Sequence, residues 1–344
     1  MQSFRSIFCA PFALFAVFAF VTCGDWVRNQ RQEKFLRNLA QLKSYAGQAR
    51  EEVRGNQKLN YRLAFQRPNR FHSEILSKGP YHGARTAYDG STFAVYYPWA
   101  LFGYEFRNFQ PVDAETEDRR RRLLYDRELK EYQVSLEANR EVAGFTAAAV
   151  RYDPIRESPL RFTAHVWFAE DFSFPLRTEL NGKDGQGPLY SLEFSRIEFN
   201  RAIPDKTFRI AFPAGADVVR WDFKSANYSP ARVRAEANFP LRLPRAGLEE
   251  FTLRRGVSAP GLVPAYAFLY KRDPFFVLLS MYKDYGIAPV RPGHGIPIQI
   301  EKRVLYLSFL GMYPAVYFKY GGVIYHFVSS LPYPDLLAIA AGLL

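Results

Sequence analysis

The side chains that could do chemistry in this 344-residue chain are few and scattered. The five histidines are His72, His82, His165, His294 and His326. None has the His-x-x-x-His or Glu-x-x-His spacing that sets two metal ligands on one helix face. His165 lies between Ala164 and Val166, and His326 between Tyr325 and Phe327, so both read as polar-face residues of strands. Gly293-His294-Gly295 reads as a turn. There is no Gly-x-Ser-x-Gly nucleophile elbow and no phosphate-binding glycine loop. Glu51-Glu52 are adjacent carboxylates, but successive strand residues point to opposite faces and cannot converge on one atom. Asp89, just before Gly90, is turn chemistry. The two cysteines, Cys9 and Cys23, fall within the first 23 residues. The rest of the chain therefore has no thiol for a disulfide, a thiolate zinc site or a nucleophile. The residues point away from an enzyme and imply no metal and no cofactor.

What the sequence has in quantity is aromatic surface. Phe (31), Tyr (22) and Trp (4) make up 17% of the chain. Large flat side chains favour pleated sheet, and here they recur at period two. Tyr61, Leu63 and Phe65 share one face of a strand. Phe71 and Ile75, then Phe93, Val95 and Tyr97, then Phe162 and Phe168 continue the pattern. These ten residues are the candidate ligand-binding cleft. One reading makes them an ordinary core under helices. The other makes them a cleft for an acyl chain, which needs burial without hydrogen-bond partners and gains about 0.8 kcal/mol per CH₂. The stripe as a whole favours the cleft.

The positioning elements follow from the pattern. Phe35, Leu36, Leu39 and Leu42 predict a helix from Asp25 to about Lys43. Strands follow, broken by Arg67-Pro68-Asn69 and by the Asp89-Gly90 hairpin turn. Residues 99–113 are aromatic and irregular, and 114–129 read as a charged helix. Strands resume over 132–136, 143–151, 160–169, 174–181 and 189–199. Tyr190, Leu192 and Phe194 share one parity, while Ile197 and Phe199 fall on the other, so a bulge is expected near Ser195-Arg196. Residues 223–245, rich in Pro, Ala and Arg, are the expected linker. A smaller strand-rich α+β domain follows over 246–344, with a tight turn at Gly321-Gly322 and a last helix from Leu336, capped by Asp335. The domain at 24–222 is then one helix, consecutive antiparallel strands, a helical insertion and more strands.

The net charge of +12 favours anionic partners such as lipid headgroups or a membrane surface. Arg119-Arg120-Arg121-Arg122 reads as a mixed-sign helix face, with a lipid-headgroup contact as the alternative. Nucleic acid is not expected, because residues 1–23 have the form of an export signal: Arg5, then an apolar run from Ile7 to Val21. Phe20-Val21-Thr22-Cys23 is similar to a bacterial lipobox, which makes Cys23 the expected lipid attachment site. A soluble secreted chain and an uncleaved anchor are the alternatives. Gly24, not Asp, follows the cysteine, which points to the outer rather than the inner membrane.

The order of segments resembles the LolA/LolB-like superfamily, and in its two-domain layout the RseB/MucB type. The resemblance rests on LKSYAGQAR (42–50), FQRPNRFHSEI (65–75), YDGSTFAVYYP (88–98), EVAGF (141–145), FPLRTEL (174–180) and IPDKTFRIAFPAGADVV (203–219). It implies an α+β fold: an unclosed antiparallel β-barrel, or half-barrel, covered by helices, with a hydrophobic concave face. Taken with the lipobox-like Cys23, it implies a periplasm-facing envelope lipoprotein whose partners are acyl chains or lipidated polypeptides. The RseB-like alternative is a regulatory module that binds a membrane-anchored anti-sigma or other signalling protein.

Overall fold

A computed structural model describes residues 24–55, 58–79, 81–108, 119–120, 123–124, 127, 130–156, 161–182, 186–222, 242–244, 252–259, 265–272, 274–283, 295–300, 302–310 and 313–344. The expected export signal, Cys23, His294 and most of the expected linker lie outside these residues. Among the described residues no helix is long and apolar enough to cross a membrane.

The chain enters through helix α1 (Gly24–Gln41), close to its expected span. Leu39 and Leu42 are buried, and Phe35 meets Phe168 edge-on at 5.9 Å. Twelve strands then form one sheet. They are β1 (Ser44–Val53), β2 (Leu59–Gln66), β3 (Arg70–Ile75), β4 (Arg85–Tyr88), β5 (Phe93–Tyr97) and β6 (Phe102–Arg107), then β7 (Tyr132–Val142), β8 (Phe145–Pro154), β9 (Thr163–Ala169), β10 (Phe174–Asn181), β11 (Pro188–Phe199) and β12 (Asp217–Asp222). The order is β12-β6-β5-β4-β3-β2-β1-β11-β10-β9-β8-β7, an open sheet with β12 and β7 at its edges. Neighbours are antiparallel except β12, which runs parallel to β6. Two runs of hairpins meet at the β1–β11 pair, where the start of the domain joins its last long strand.

That central pair carries the expected irregularity. The register shifts between Gln48 and Ala49 as the partner steps from Arg196 to Phe194, passing over Ser195. The Ser195 hydroxyl donates to the Gln48 carbonyl at 3.3 Å. Gly47 lies beside the shift, and a Cβ there would stand 2.4 Å from the Arg196 carbonyl oxygen. Backbone approaches backbone here more closely than a side chain permits.

A second sheet follows from β13 (Thr252–Ala259), β14 (Ala265–Arg272), β15 (Phe275–Lys283), β16 (Ile296–Ile300), β17 (Arg303–Leu310), β18 (Tyr313–Tyr320) and β19 (Val323–Ser329), in the order β13-β14-β15-β19-β18-β17-β16. Gly321 and Gly322 take φ of 57° and 75° between β18 and β19, the positive values a two-residue hairpin loop demands. Helix α2 (Tyr333–Ala341) packs on β17, β18 and β19 and buries Leu336, Leu337 and Ile339.

The expected helical cover is corrected. Among the described residues α1 and α2 are the two full helices, and α2 serves the second sheet. The large sheet instead fills its inner face with its own rings. Tyr45 stacks on Phe65 at 5.4 Å and meets Phe174 at 4.8 Å, and Phe174 meets Phe194 at 5.4 Å. Each aromatic side chain covers enough area to do work that aliphatic strands leave to helices. Asp335 also differs from its expected role. It lies in the first turn of α2 without capping it, and pairs with Arg127 instead.

Candidate ligand-binding face

The pairing registers place nine of the ten stripe residues on one face of the large sheet, and Phe162 lies just before β9. Three rows cross the strands there. The first is Tyr45, Phe65, Phe71, Tyr88, Phe93 and Phe106. The second is Gly47, Leu63, Ser73, Thr86, Val95 and Tyr104. The third has Ala49, Tyr61 and Ile75 on one side and Tyr97 with Phe102 on the other. Rows on one face are two residues apart, roughly 7 Å along a strand. A row of mostly small side chains is therefore flanked by two rows of rings. Phe162 and Phe168 sit beyond the central pair, at β9, beside Phe35 and Tyr333.

All ten residues are buried in one continuous hydrophobic cluster. Part of what closes over them comes from outside the sheet. The ring of Tyr333, from α2, stacks on Phe162 at 5.8 Å, and its hydroxyl accepts from the Phe162 N–H at 3.2 Å. Tyr132 and Tyr333 share a hydroxyl contact at 3.3 Å. Arg127 grips Asp335 with both terminal nitrogens, one at 2.7 Å. Arg120 is buried, donates to the Ser330 carbonyl at 3.2 Å and lies 5.8 Å from the Tyr313 ring. Arg120 thus supplies a contact from the insertion to the second sheet, while Arg119 beside it is exposed. No local signal marks this, because Ser330 and Tyr313 are distant in sequence.

Sequence reasoning also missed the polar groups on the aromatic face. Glu51 is buried there, and the Tyr61 hydroxyl donates to it. Tyr190 is its second phenolic partner. Burial pushes the Glu51 carboxyl up to about 7, against the opposing pull of the two hydroxyls. Ser73 and Thr86 face each other across β3 and β4, only 2% and 1% exposed. Neither hydroxyl has a hydrogen-bond partner among the described residues. Ser73 shares the parity of Phe71 and Ile75, but alternation alone does not show what a polar residue faces across the strand.

The remaining chemistry is turn and surface. The Asp89 carboxylate accepts from the Ser91 and Thr92 backbone N–H groups at 3.0 and 2.9 Å and meets Arg209 at 3.1 Å. Burial alone would raise this carboxyl, but those hydrogen bonds and Arg209 hold it below its ordinary value. Gly90 takes a φ of 101°. His165 sits by Glu137 at 3.2 Å, as a polar-face residue should. His326 departs from that reading: it is buried, and burial pushes it down to about 3. Among the described residues no three His, Cys, Asp or Glu side chains come together as a metal site.

The fold is thus an open, mainly antiparallel sheet with a ring-lined inner face, followed by a second sheet. Residues 28–212 match the MucB/RseB N-terminal domain, more than half of the chain, and the chain belongs to that family. A crystal structure of MucB is 15% identical, covers 93% of this chain and 98% of its own, and superposes with a TM-score of 0.48. The Pseudomonas aeruginosa MucA/MucB complex is 17% identical, with coverages of 90% and 95% and a TM-score of 0.42. A LolA superfamily protein from Nitrosomonas europaea is 13% identical, covers 52% of this chain and 97% of its own, with a TM-score of 0.24. No curated protein matches the chain.

Proposed function

We propose that this chain is an envelope binding protein, not an enzyme, that holds an acyl chain or a lipidated polypeptide on the aromatic face of its large sheet. The observation that carries this reading is the row of mostly small side chains between two rows rich in rings, an apolar lining that would offer a polymethylene chain burial. The face is closed here, so loading requires the cover to move. The contacts that hold the cover are partly polar, and Arg127–Asp335 is partly exposed. Such contacts exchange with water at little net cost. In this reading Cys23 carries a lipid anchor and the protein faces the periplasm, at the outer rather than the inner membrane.

The family match favours a second reading, in which the two sheets together bind a membrane-anchored signalling protein of the anti-sigma type. One preparation separates them. The full chain, exported in a bacterial host and purified without detergent, is weighed by native mass spectrometry. Releasable mass matching phospholipid or fatty acid supports the first reading. A clean apo mass, with a discrete protein adduct after cross-linking in membranes, supports the second and removes the first.

A further inference from the structure

The row of small side chains is not uniformly apolar. Ser73 and Thr86 form its middle, with Leu63 on one side and Val95 on the other. Their two hydroxyls sit side by side on adjacent strands, nine-tenths or more buried, with no hydrogen-bond partner among the described residues. Leaving a buried hydroxyl unmet is costly, and an alanine or valine would fill either place without that cost. The rings of Phe71, Tyr88 and Phe93 wall the row on one side. On the other, Tyr61 and Ile75 pair with each other, with Tyr97 beyond them on β5. A bare hydrocarbon tail would gain nothing from two donors there. A tail that carries a carbonyl would gain one or two hydrogen bonds made in an apolar, water-poor site.

We infer that Ser73 and Thr86 are the polar anchor of this face, donating hydrogen bonds to the ester or amide carbonyl of an acylated ligand. The inference rests on the acyl-binding reading above and narrows it to a ligand class: O-acyl or N-acyl chains, as opposed to free hydrocarbon or ether-linked chains. The polymethylene tail runs along the row, and the carbonyl stops over the two hydroxyls. Glu51, with Tyr61 and Tyr190, lies nearer the β1–β11 pair and has its own partners, so it does not compete for the carbonyl.

The test compares two probes that differ only at that atom. Dihexanoylphosphatidylcholine carries ester carbonyls, and its dihexyl ether analogue carries methylenes in their place. Both are titrated below their micellar concentrations into the full chain and into Ser73→Ala/Thr86→Val. The parent should prefer the ester probe by about tenfold, the scale of one or two hydrogen bonds. The double variant should bind the ether probe as the parent does and lose the preference. It should melt at or above the parent temperature, since it removes unmet buried hydroxyls. If Thr86→Val disturbs β4, Ser73→Ala alone should still reduce the preference. Equal binding of the two probes by the parent, or an undiminished preference in the variants, overturns the anchor while leaving acyl binding intact. A parent that binds neither probe removes the acyl reading itself, and the anchor with it.

Discussion

Both sheets bury aromatic and aliphatic side chains but finish the task differently. The second sheet carries its own helix, and Leu336 and Leu337 of α2 are completely buried in its service. The large sheet draws part of its cover from elsewhere: Phe35 and Leu39 of α1, Leu124 and Arg120 of the insertion, and Tyr333 of α2. It also keeps Glu51, Ser73 and Thr86 on its ring-lined face. Such groups cost free energy unless partnered, and the second sheet buries its own, Ser308 and His326 among them. The difference is therefore one of cover: the second sheet completes its packing with its own helix, and the large sheet with pieces of several elements.

The largest effects test that separation directly. Phe194→Ala in the large sheet should cost about 3–5 kcal/mol, and Leu336→Ala under the second sheet about 2–5 kcal/mol. Both side chains are fully buried. Urea unfolding followed by tryptophan emission and by far-ultraviolet circular dichroism reads whether the transitions coincide. If the second sheet is self-contained, Leu336→Ala moves one transition and leaves a later one near the parent midpoint. A single shared transition for both variants would break the comparison and make the two sheets one cooperative unit.

Acidity offers a second contrast, with opposite signs. Glu51 has a folded pKa of about 7, above its unfolded value of 4.5. The folded state therefore holds its proton longer, so this contribution is complete below pH 4.5 and is lost as pH rises through 7. His72 in the large sheet falls to about 4 and His326 in the second to about 3, both from 6.5, chiefly by burial. Their contribution is complete above pH 6.5 and is lost as pH falls toward those values. Glu51→Gln should flatten the loss between pH 4.5 and 7 and raise stability at pH 8, by at most about 3 kcal/mol. His326→Gln should weaken the acid loss of the second sheet alone. A Glu51→Gln variant with the parent's pH profile would mean that Glu51 is ionised and solvated in the folded protein.

Much of this arrangement was legible in the sequence. Period-two patterning located most strands of the large sheet and put nine of the ten stripe residues on one face, since parity alone assigns a face. The change of parity after Phe194 located the bulge, and Gly90 and Gly321-Gly322 marked hairpins through their backbone freedom. Three things were not legible. β6 was obscured, because Phe102–Arg107 follows Trp99 in a run with no clean alternation. Arg120 and Arg127 read as surface charge, because a helix pattern cannot show that Ser330 and Asp335 meet it from the far end of the chain. The pairing of Ser73 with Thr86 was hidden, because what lies across a strand is a property of register.

The smallest expected effect bears on how the cover is held. Arg127 bonds Asp335 through both terminal nitrogens and also Glu131 at 2.9 Å, but its side chain is 39% exposed and that of Asp335 28%. Solvent screening at such exposure leaves the pair about 1 kcal/mol or less. Asp335→Asn keeps the volume of the side chain, and Arg127→Met keeps much of the apolar stem, so a double-mutant cycle isolates the pair from the Glu131 contact. Global stability should barely change. Amide hydrogen exchange should quicken at Phe162, whose N–H is held by Tyr333, while Leu279 and Phe327, inside the second sheet, keep their protection. That pattern would mark the contact between the sheets as a cover that opens without unfolding either one. Equal quickening throughout the second sheet would show instead that the ion pair supports the sheet itself, and the route by which a ligand reaches the ring-lined face would have to lie elsewhere.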